Sequence, residues 1–191
     1  PKYAERLRRA VSTRFLDTNE FSLSDVPREE RLLIGARTTG RLGARHDPDV
    51  AVQALHESWG SVEALISRHS IVILVGTGGK GTGSGTMFPL AQMARQQKKL
   101  VIPIFVRPSF ERHEVDKRHY DNAASAVDQF DADRLETDDV LGRIHRVVEA
   151  AEMAGADRAP AEQRCQLQFD LGGEAARAFG ADQDMREIQV I

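Results

Sequence analysis

The densest group of residues that could do chemistry is a glycine-rich segment near the middle of the chain. Six of the fifteen glycines fall between residues 76 and 85, in the run Gly-Thr-Gly-Gly-Lys-Gly-Thr-Gly-Ser-Gly. Glycine loses the most backbone entropy on folding, so this density is costly, and a tight turn needs only one or two. The excess indicates a ligand that approaches the main chain closely. At a helix start, free N–H groups and the dipole favour an anion such as phosphate.

Hydroxyl side chains accompany these glycines. Thr82, Ser84 and Thr86 can bond phosphate oxygens or metal-bound water. A glycine-rich surface turn with no ligand is the competing interpretation. The elements predicted on either side of the segment favour the phosphate site.

The spacing of the glycines separates the known kinds of phosphate site. The P-loop pattern fails, because Gly79-Lys-Gly81 lacks the Ser or Thr after lysine and the glycine five residues earlier. The dinucleotide pattern G-x-G-x-x-G is met by Gly76, Gly78 and Gly81, although six glycines offer many chance registers. Arg107, where an acid would bind the ribose of NAD, would favour the 2′-phosphate of NADP. An NADP-linked oxidoreductase is therefore one hypothesis.

Strong local patterns predict the elements that would position this segment. Residues 71–75 (Ile-Val-Ile-Leu-Val) form a mainly β-branched run, as expected of a strand buried on both faces. Met87, Leu90, Met93 and Ala94 form a helical stripe, and residues 100–106 predict a second strand. Strand, loop, helix and strand make a βαβ unit with a right-handed crossover. Pro103 is a local conflict, because it removes a ladder hydrogen bond.

Other segments carry weaker patterns. Asp47 and Pro48 predict the cap and first residue of a helix, whose apolar stripe continues as one helix to Ile66. A polar helix is expected over 112–130, with Val115 among its apolar positions. Residues 35–43, with three glycines and two threonines, predict a flexible connection too polar for a core element. The remaining predicted elements are a helix at 2–12, a strand end at 15–16, a helix from Thr137, and strands at 167–171 and 188–191.

Composition excludes several classes of protein. The chain has 191 residues with 41% apolar and 29% charged, which is typical of a globular protein. The net charge is −3, so no basic excess exists to neutralise a nucleic-acid backbone. The longest apolar run has five residues, too short for a transmembrane segment. A single cysteine, Cys165, excludes an internal disulfide and favours a reducing cytoplasm.

Five segments within about residues 14–150 carry motifs that occur in the same order in one family of proteins. The segments are Leu16-Asp-Thr-Asn19, Thr39-Gly-Arg-Leu-Gly-Ala-Arg-His-Asp-Pro48, Gly79-Lys-Gly-Thr-Gly-Ser-Gly85, Val106-Arg-Pro-Ser-Phe-Glu111 and Thr137-Asp-Asp-Val-Leu141. In that order they resemble Asn-Thr-Asp, Gly-Leu-Gly-Ala before Asn-Pro, the Gly-Gly-Gly-Thr-Gly-Ser/Thr-Gly loop, Thr-Lys-Pro-Phe-x-Phe-Glu and Asn-Asp-Val-Leu of the tubulin/FtsZ superfamily. The FtsZ-like branch of this superfamily is the better match.

The resemblance implies an α/β fold, a Rossmann-like GTPase fold with a mostly parallel sheet and helices on both faces. Residues 1–136 would form the nucleotide-binding domain, 137–154 the central helix, and 155–191 a remnant of a second, C-terminal domain or a tail. This C-terminal region is expected to be partial. The ligand would be GTP or GDP, with Mg²⁺ as a candidate companion.

The resemblance also implies roles for individual residues. The phosphates would be held by Gly78, Gly79, Lys80, Gly81, Thr82, Gly83, Ser84 and Gly85. Gly43 and Ala44 would contact the γ-phosphate, and Asp17 and Asn19 would lie near the phosphates or magnesium. Pro108 and Glu111 would face the ribose, and Asp139 would bond the guanine edge. The alternative for Asp139 is that its charge only stabilises the start of a helix. The alternative for Glu111 is that it is a solvated surface charge.

The chain departs from the family pattern at several points. The family's first strand and N-terminal glycine loop are absent, Lys80 replaces a glycine, and no strand is predicted after Phe130. The acidic loop Asn-x-Asp-x-x-Asp, which positions the attacking water from the next subunit, has no counterpart after Ala154. We therefore assign no catalytic residue and no protein metal ligand.

The resemblance implies a cytoskeletal protein of cell division that binds GTP. It would associate with its own copies head-to-tail into filaments, because a heterologous interface that does not close gives a filament. GTP would be hydrolysed at the subunit contacts. The alternative from a different class is a nucleotide-binding regulatory or scaffold protein of the same fold that does not hydrolyse.

Overall fold

The computed structural model of the chain describes residues 12–107, 114–130, 133–136, 146 and 188–190, with the backbone alone for 133–136 and 188–190. The strands in chain order are β1 (Ser12–Thr13), β2 (Phe15–Asp17), β3 (Arg31–Leu33), β4 (Ile71–Thr77), β5 (Leu100–Arg107), β6 (Asp133–Glu136) and β7 (Ile188–Val190). The helices are α1 (Ala36–Thr39), α2 (Pro48–Glu57), α3 (Trp59–Ser67), α4 (Gly81–Gln96) and α5 (Glu114–Val127). Short 3-10 turns lie at Phe21–Leu23, Arg28–Glu30 and Asp128–Phe130.

The described strands form two parallel sheets. The larger has the order β1-β7-β4-β5-β6, and the smaller pairs β2 with β3. β4 and β5 pair along their length, from Ile71 beside Leu100 to Thr77 beside Val106. The predicted βαβ unit is therefore confirmed, with α4 as its crossover.

β7 lies inside the larger sheet, between β1 and β4. It pairs with Ile71–Ile73 of β4 and with both residues of β1. The strand expected at 188–191 is thus confirmed over Ile188–Val190. Within the described residues, β4 has no strand partner on this edge from Leu74 to Thr77.

The core lies between the larger sheet and helices α2 to α5. Val72, Leu74, Val101 and Phe105 alternate along β4 and β5 and pack in one cluster with these helices. The residues between them, including Ile73 and others of the opposite face, are fully or almost fully buried as well. Burial on both faces explains the continuous apolar runs, and the α/β class predicted from the sequence is confirmed.

The helix predicted to run from Pro48 to Ile66 is wrong in one respect, because it is two helices that meet at Ser58. Asp47 caps the first as predicted, since its carboxylate accepts hydrogen bonds from the amides of Asp49 at 2.9 Å and Val50 at 3.4 Å. Gly60 lies within the second helix rather than at the break. The break frees the Ser58 hydroxyl to accept a hydrogen bond from the Gly35 amide at 3.0 Å.

The flexible connection predicted over residues 35–43 is also wrong in part. Ile34 is fully buried, and residues 36–39 form the short helix α1, which ends at the buried Thr39. The Thr39 hydroxyl donates to the carbonyl oxygens of Gly35 and Thr18 at 2.9 and 3.1 Å. Satisfied polar groups allow this polar segment to lie against the core.

Two expectations for the residues between Glu114 and Glu136 are corrected. Val115 was expected on the apolar face of α5 but is 51% exposed; Tyr120 is buried instead and stacks on Phe105 with ring centroids 5.1 Å apart. A strand does follow Phe130, because β6 pairs with β5 from Ile104 to Arg107. It was missed because Asp-Arg-Leu-Glu has little strand propensity. The helices predicted at 2–12 and from Thr137 and the strand at 167–171 lie outside the described residues.

No helix in the described part of the chain is long and apolar enough to cross a membrane.

Candidate functional site

The turn between β4 and α4 builds the centre of the site. α4 begins at Gly81, and the turn before it requires Gly79, whose φ of +91° is disfavoured for residues with a side chain. The Gly79 amide donates to the Ser84 hydroxyl at 2.8 Å, which closes the turn from within. The amides of residues 80–82 donate to no other described residue. They are the free donors at the positive end of a 16-residue helix.

Close packing accounts for several of the glycines in this segment. A Cβ at Gly83 would overlap the carbonyl oxygen of Thr77, and one at Gly85 would overlap the carbonyl oxygen of Pro48. A Cβ at Gly81 would lie 2.7 Å from Cβ of Ala44. The glycine excess, which predicts a closely approaching ligand, therefore has a second cause in packing. These glycines let α4 pass close to β4 and to the start of α2.

A second wall of the site comes from the loop before α2. The Gly43 amide donates to the Thr18 carbonyl oxygen at 3.1 Å, and the Ala44 amide donates to the Thr18 hydroxyl at 3.0 Å. Gly43 has φ +89°, and a Cβ there would lie 3.3 Å from Cβ of Asn19. We call Gly43 and Ala44 the Gly43–Ala44 wall.

Thr18 joins this wall to the glycine-rich turn. Its hydroxyl lies 2.7 Å from the hydroxyl of Thr82, and Oδ1 of Asp17 lies 3.5 Å from both. Thr18 is fully buried. Sequence reasoning named its neighbours Asp17 and Asn19 but missed Thr18 itself. The only signal for it was its place between two predicted site residues, since its partner is 64 positions away.

These elements enclose a cavity of about 630 Å³ at the carboxyl ends of β2 and β4. Among the predicted residues, those that line it are Asp17, Asn19, Gly43, Ala44, Gly78, Lys80, Gly81, Thr82 and Gly83. Gly79 does not line the cavity, and its amide is bonded to Ser84 within the turn. Ser84 and Gly85 line a separate groove of about 430 Å³ between α2 and α5. Pro108, Glu111 and Asp139 lie outside the described residues.

The charged side chains that line the cavity are Lys80, Arg45 and Asp17, and the imidazole of His46 lines it as well. Arg45 and His46 have φ of +50° and +63°, an uncommon backbone conformation for residues other than glycine. His46 is held in place at 3.3 Å from the carboxylate of Asp116 on α5. Amide donors and basic side chains together suit an anionic ligand.

The cavity lies at the carboxyl ends of parallel strands, below a helix start, which is where open α/β sheets generally bind ligands. The chain belongs to the Tubulin/FtsZ family, because the model of that family's GTPase domain matches residues 4–133.

Comparison with individual proteins finds relatives of the same family. The chain is 33% identical over 94 residues to cell division protein FtsZ 1 of Pyrococcus horikoshii, covering 49% of this chain and 25% of that protein. It is 32% identical over 93 residues to cell division protein FtsZ of Helicobacter pylori, covering 48% of this chain and 24% of the relative. The chain thus spans about a quarter of the length of these curated relatives.

Solved structures show the same fold. The empty FtsZ dimer of M. jannaschii superposes with a TM-score of 0.64 at 18% identity, over 92% of this chain and 50% of that one. GDP-bound CetZ1 from Haloferax volcanii gives a TM-score of 0.62 at 14% identity, over 90% and 59% of the two chains. At this identity the likeness concerns the fold alone.

Proposed function

We propose that the chain binds GTP and GDP in the cavity between the glycine-rich turn and the Gly43–Ala44 wall. The observation that carries the proposal is the set of free amides at residues 80–82, at the start of α4, which face a cavity lined with basic side chains. Free amide donors at the start of a helix suit phosphate oxygens. Membership of the GTPase-domain family makes guanine the expected base.

Within this proposal the other residues keep the roles predicted for them. The Gly43–Ala44 wall lines the same cavity as the turn and would contact the terminal phosphate. The carboxylate of Asp17, 3.5 Å from the Thr82 hydroxyl, is the acidic group placed to receive magnesium or its water. Pro108 and Glu111 for the ribose and Asp139 for the guanine edge remain predictions.

We also propose that copies of the complete protein assemble head-to-tail into filaments in the cytoplasm and hydrolyse GTP where they meet. Two relatives carry the name cell division protein FtsZ. Leu42 lines the cavity mouth and is 60% exposed, and Phe21 on the neighbouring turn is 78% exposed. Apolar side chains exposed beside the cavity are suited to contact with another molecule.

Calorimetric titration of the chain with GTP in the presence of Mg²⁺ tests the binding proposal. We expect one site per chain, with GDP binding at the same site and ATP binding more weakly. Titration with NADPH under the same conditions tests the dinucleotide hypothesis from the G-x-G-x-x-G spacing. Absence of GTP binding, or tighter binding of NADPH than of GTP, would overturn the proposal.

A non-hydrolysing regulatory protein is the second candidate function. Nucleotide binding alone does not distinguish such a protein from one that hydrolyses GTP. Phosphate release measured at rising protein concentration separates the two candidates. A rate per chain that rises steeply with concentration supports hydrolysis at subunit contacts, whereas GTP binding without release at every concentration supports the second candidate.

A further inference from the structure

Glu57, the last residue of α2, accepts hydrogen bonds from the start of α1. Oε2 accepts from the amide and the hydroxyl of Thr38 at 2.8 and 2.7 Å, and Oε1 accepts from the Arg37 amide at 3.1 Å. The Arg37 side chain also approaches Oε1 at 3.4 Å but is 89% exposed, so that ion pair contributes little. The two backbone amides and the Thr38 hydroxyl are the contacts that fix α1.

The position of Glu57 at the carboxyl end of α2 destabilises its own helix. A carboxylate at a helix carboxyl end lies next to the negative end of the dipole. The same carboxylate faces the positive start of α1, where free amides need acceptors. The hydrogen bonds across this junction offset the local cost. They also depress the pKa of Glu57 to about 2, with the Arg37 amide as the largest cause.

Ser58 holds the same segment at its other end. Its hydroxyl accepts from the Gly35 amide at 3.0 Å. Gly35 has φ +60° and no space for a Cβ, because Ala54 of α2 occupies that position. Residues 35–39 are therefore attached to α2 by two consecutive side chains, which we call the Glu57–Ser58 clamp.

Contacts continue from the clamped segment to the cavity. Thr39 donates through its hydroxyl to the Thr18 carbonyl oxygen, and that oxygen also accepts from the Gly43 amide. The Arg41 amide donates to the Thr39 hydroxyl at 3.2 Å, and the Leu42 amide donates to the Thr39 carbonyl oxygen at 3.2 Å. Two of the three residues between α1 and the wall are thus hydrogen-bonded to Thr39.

We propose that Glu57 is a positioning residue of the nucleotide site, which acts through α1 and Thr39 to set the distance between the Gly43–Ala44 wall and the glycine-rich turn. The inference rests on the proposed binding of GTP in this cavity. Glu57 does not line the cavity, so its effect on affinity passes through the wall.

The test compares Glu57→Gln with Glu63→Gln, which removes the same charge from an exposed position on the neighbouring helix α3. We expect E57Q to weaken GTP binding roughly tenfold, because charge-assisted hydrogen bonds are lost, and E63Q to leave it unchanged. Thr38→Val, which removes only the 2.7 Å hydroxyl contact, should weaken binding less. In the E57Q/T38V double variant the two effects should fall short of their sum, since both act on one contact.

Calorimetric stoichiometry separates displacement of the wall from loss of folded protein. Partial unfolding lowers the number of sites, whereas a displaced wall raises the dissociation constant at one site per chain. Equal affinities of wild type and E57Q at full stoichiometry would overturn the inference. So would a change confined to the number of sites.

Amide hydrogen exchange tests the clamp without any nucleotide. We expect E57Q to speed exchange at the amides of Gly43 and Ala44 relative to E63Q, since both donate to Thr18. Unchanged exchange there would refute the role of Glu57 even if GTP does not bind. Faster exchange in a chain that fails to bind GTP would refute the nucleotide proposal and keep the connection between clamp and wall.

Discussion

At the scale of single residues, the contacts between hydroxyls and amides decide the shape of the cavity. The Thr18 hydroxyl accepts from the Ala44 amide, so its own hydrogen is available to Thr82 or Asp17. One buried side chain thereby links the two sides of the site. Glu57 and Ser58 do not line the cavity. They accept hydrogen bonds from Thr38 and Gly35, in the segment that precedes the Gly43–Ala44 wall.

Lys80, which the resemblance predicts to replace a glycine of the family, lines the cavity. We expect Lys80→Ala to weaken GTP binding by roughly tenfold, because an ammonium beside phosphate forms charge-assisted hydrogen bonds. Lys117→Ala is the matched control, since Lys117 is an exposed lysine of α5 outside the cavity. Calorimetric titration of both variants measures the effect. Equal weakening of GTP binding in the two variants would contradict a direct contact of Lys80, because it would show that the effect comes from the net charge of the protein.

The depressed pKa of Glu57 predicts how the contribution of this residue to stability depends on pH. Its carboxyl has a pKa of about 2 in the folded chain against 4.5 ordinarily, so it favours folding above pH 4.5. That stabilisation is lost as pH falls from 4.5 to 2. The difference in free energy of unfolding between wild type and E57Q should be constant from pH 7 to 5 and shrink below 4.5. Urea titrations at each pH measure it, and a constant difference down to pH 3 would contradict the assignment.

At the scale of elements, the approach of α4 to its neighbours explains the glycine-rich sequence. A helix that starts beside Thr77 and crosses the start of α2 at Pro48 leaves no space for side chains at residues 83 and 85. Glycine within a helix costs entropy, and tight packing offsets that cost here.

Gly85→Ala and Gly60→Ala form a matched pair that tests this explanation. Both glycines lie in helices, but a Cβ at residue 85 meets Pro48 and Ala51, whereas one at residue 60 meets nothing within 4 Å. We expect Gly85→Ala to destabilise the fold by about 1–3 kcal/mol through overpacking. Gly60→Ala should stabilise it by about 0.5–1 kcal/mol. Thermal and urea unfolding measure both, and stabilisation by both substitutions would refute the packing explanation.

At the scale of the whole molecule, the last described strand of the chain, β7, lies inside the larger sheet between β1 and β4. β7 pairs on both sides, with β1 and with β4, although more than a hundred residues separate it from each. Beyond Ile73 the edge of β4 is unpaired among the described residues, and the cavity opens there along Leu74 to Thr77. The end of β7 therefore lies next to the part of β4 that lines the cavity.

Substitutions at Gln189 test the place of β7. Gln189 pairs with Val72 on one side and Ser12 on the other. Gln189→Pro removes an amide from the ladder, whereas Gln189→Ala keeps it. We expect the proline variant to be less stable than the alanine variant by about 1–3 kcal/mol, from an unsatisfied carbonyl group. Urea unfolding measures the difference, and equal stabilities would exclude β7 from the sheet.

The sequence by itself determined the elements whose causes are local. The apolar runs at 71–75 and 100–106 predict two buried strands, and the apolar stripe from Met87 to Ala94 predicts the helix between them, so the βαβ unit follows from their order. Asp47 and Pro48 predict the start of another helix. These signals arise from neighbours within a few positions, where propensity and capping act. The family motifs likewise lie in contiguous segments, and the family is confirmed.

Only the tertiary structure decided which distant groups satisfy one another. The Ser58 hydroxyl at the helix break has its partner, the Gly35 amide, 23 positions away, and the Thr18 hydroxyl has its partner, Thr82, 64 positions away. Burial of Thr39 follows from acceptors on Thr18 and Gly35. Buried polar groups must find partners wherever the packed chain brings them, so these contacts leave no periodic signal in the sequence.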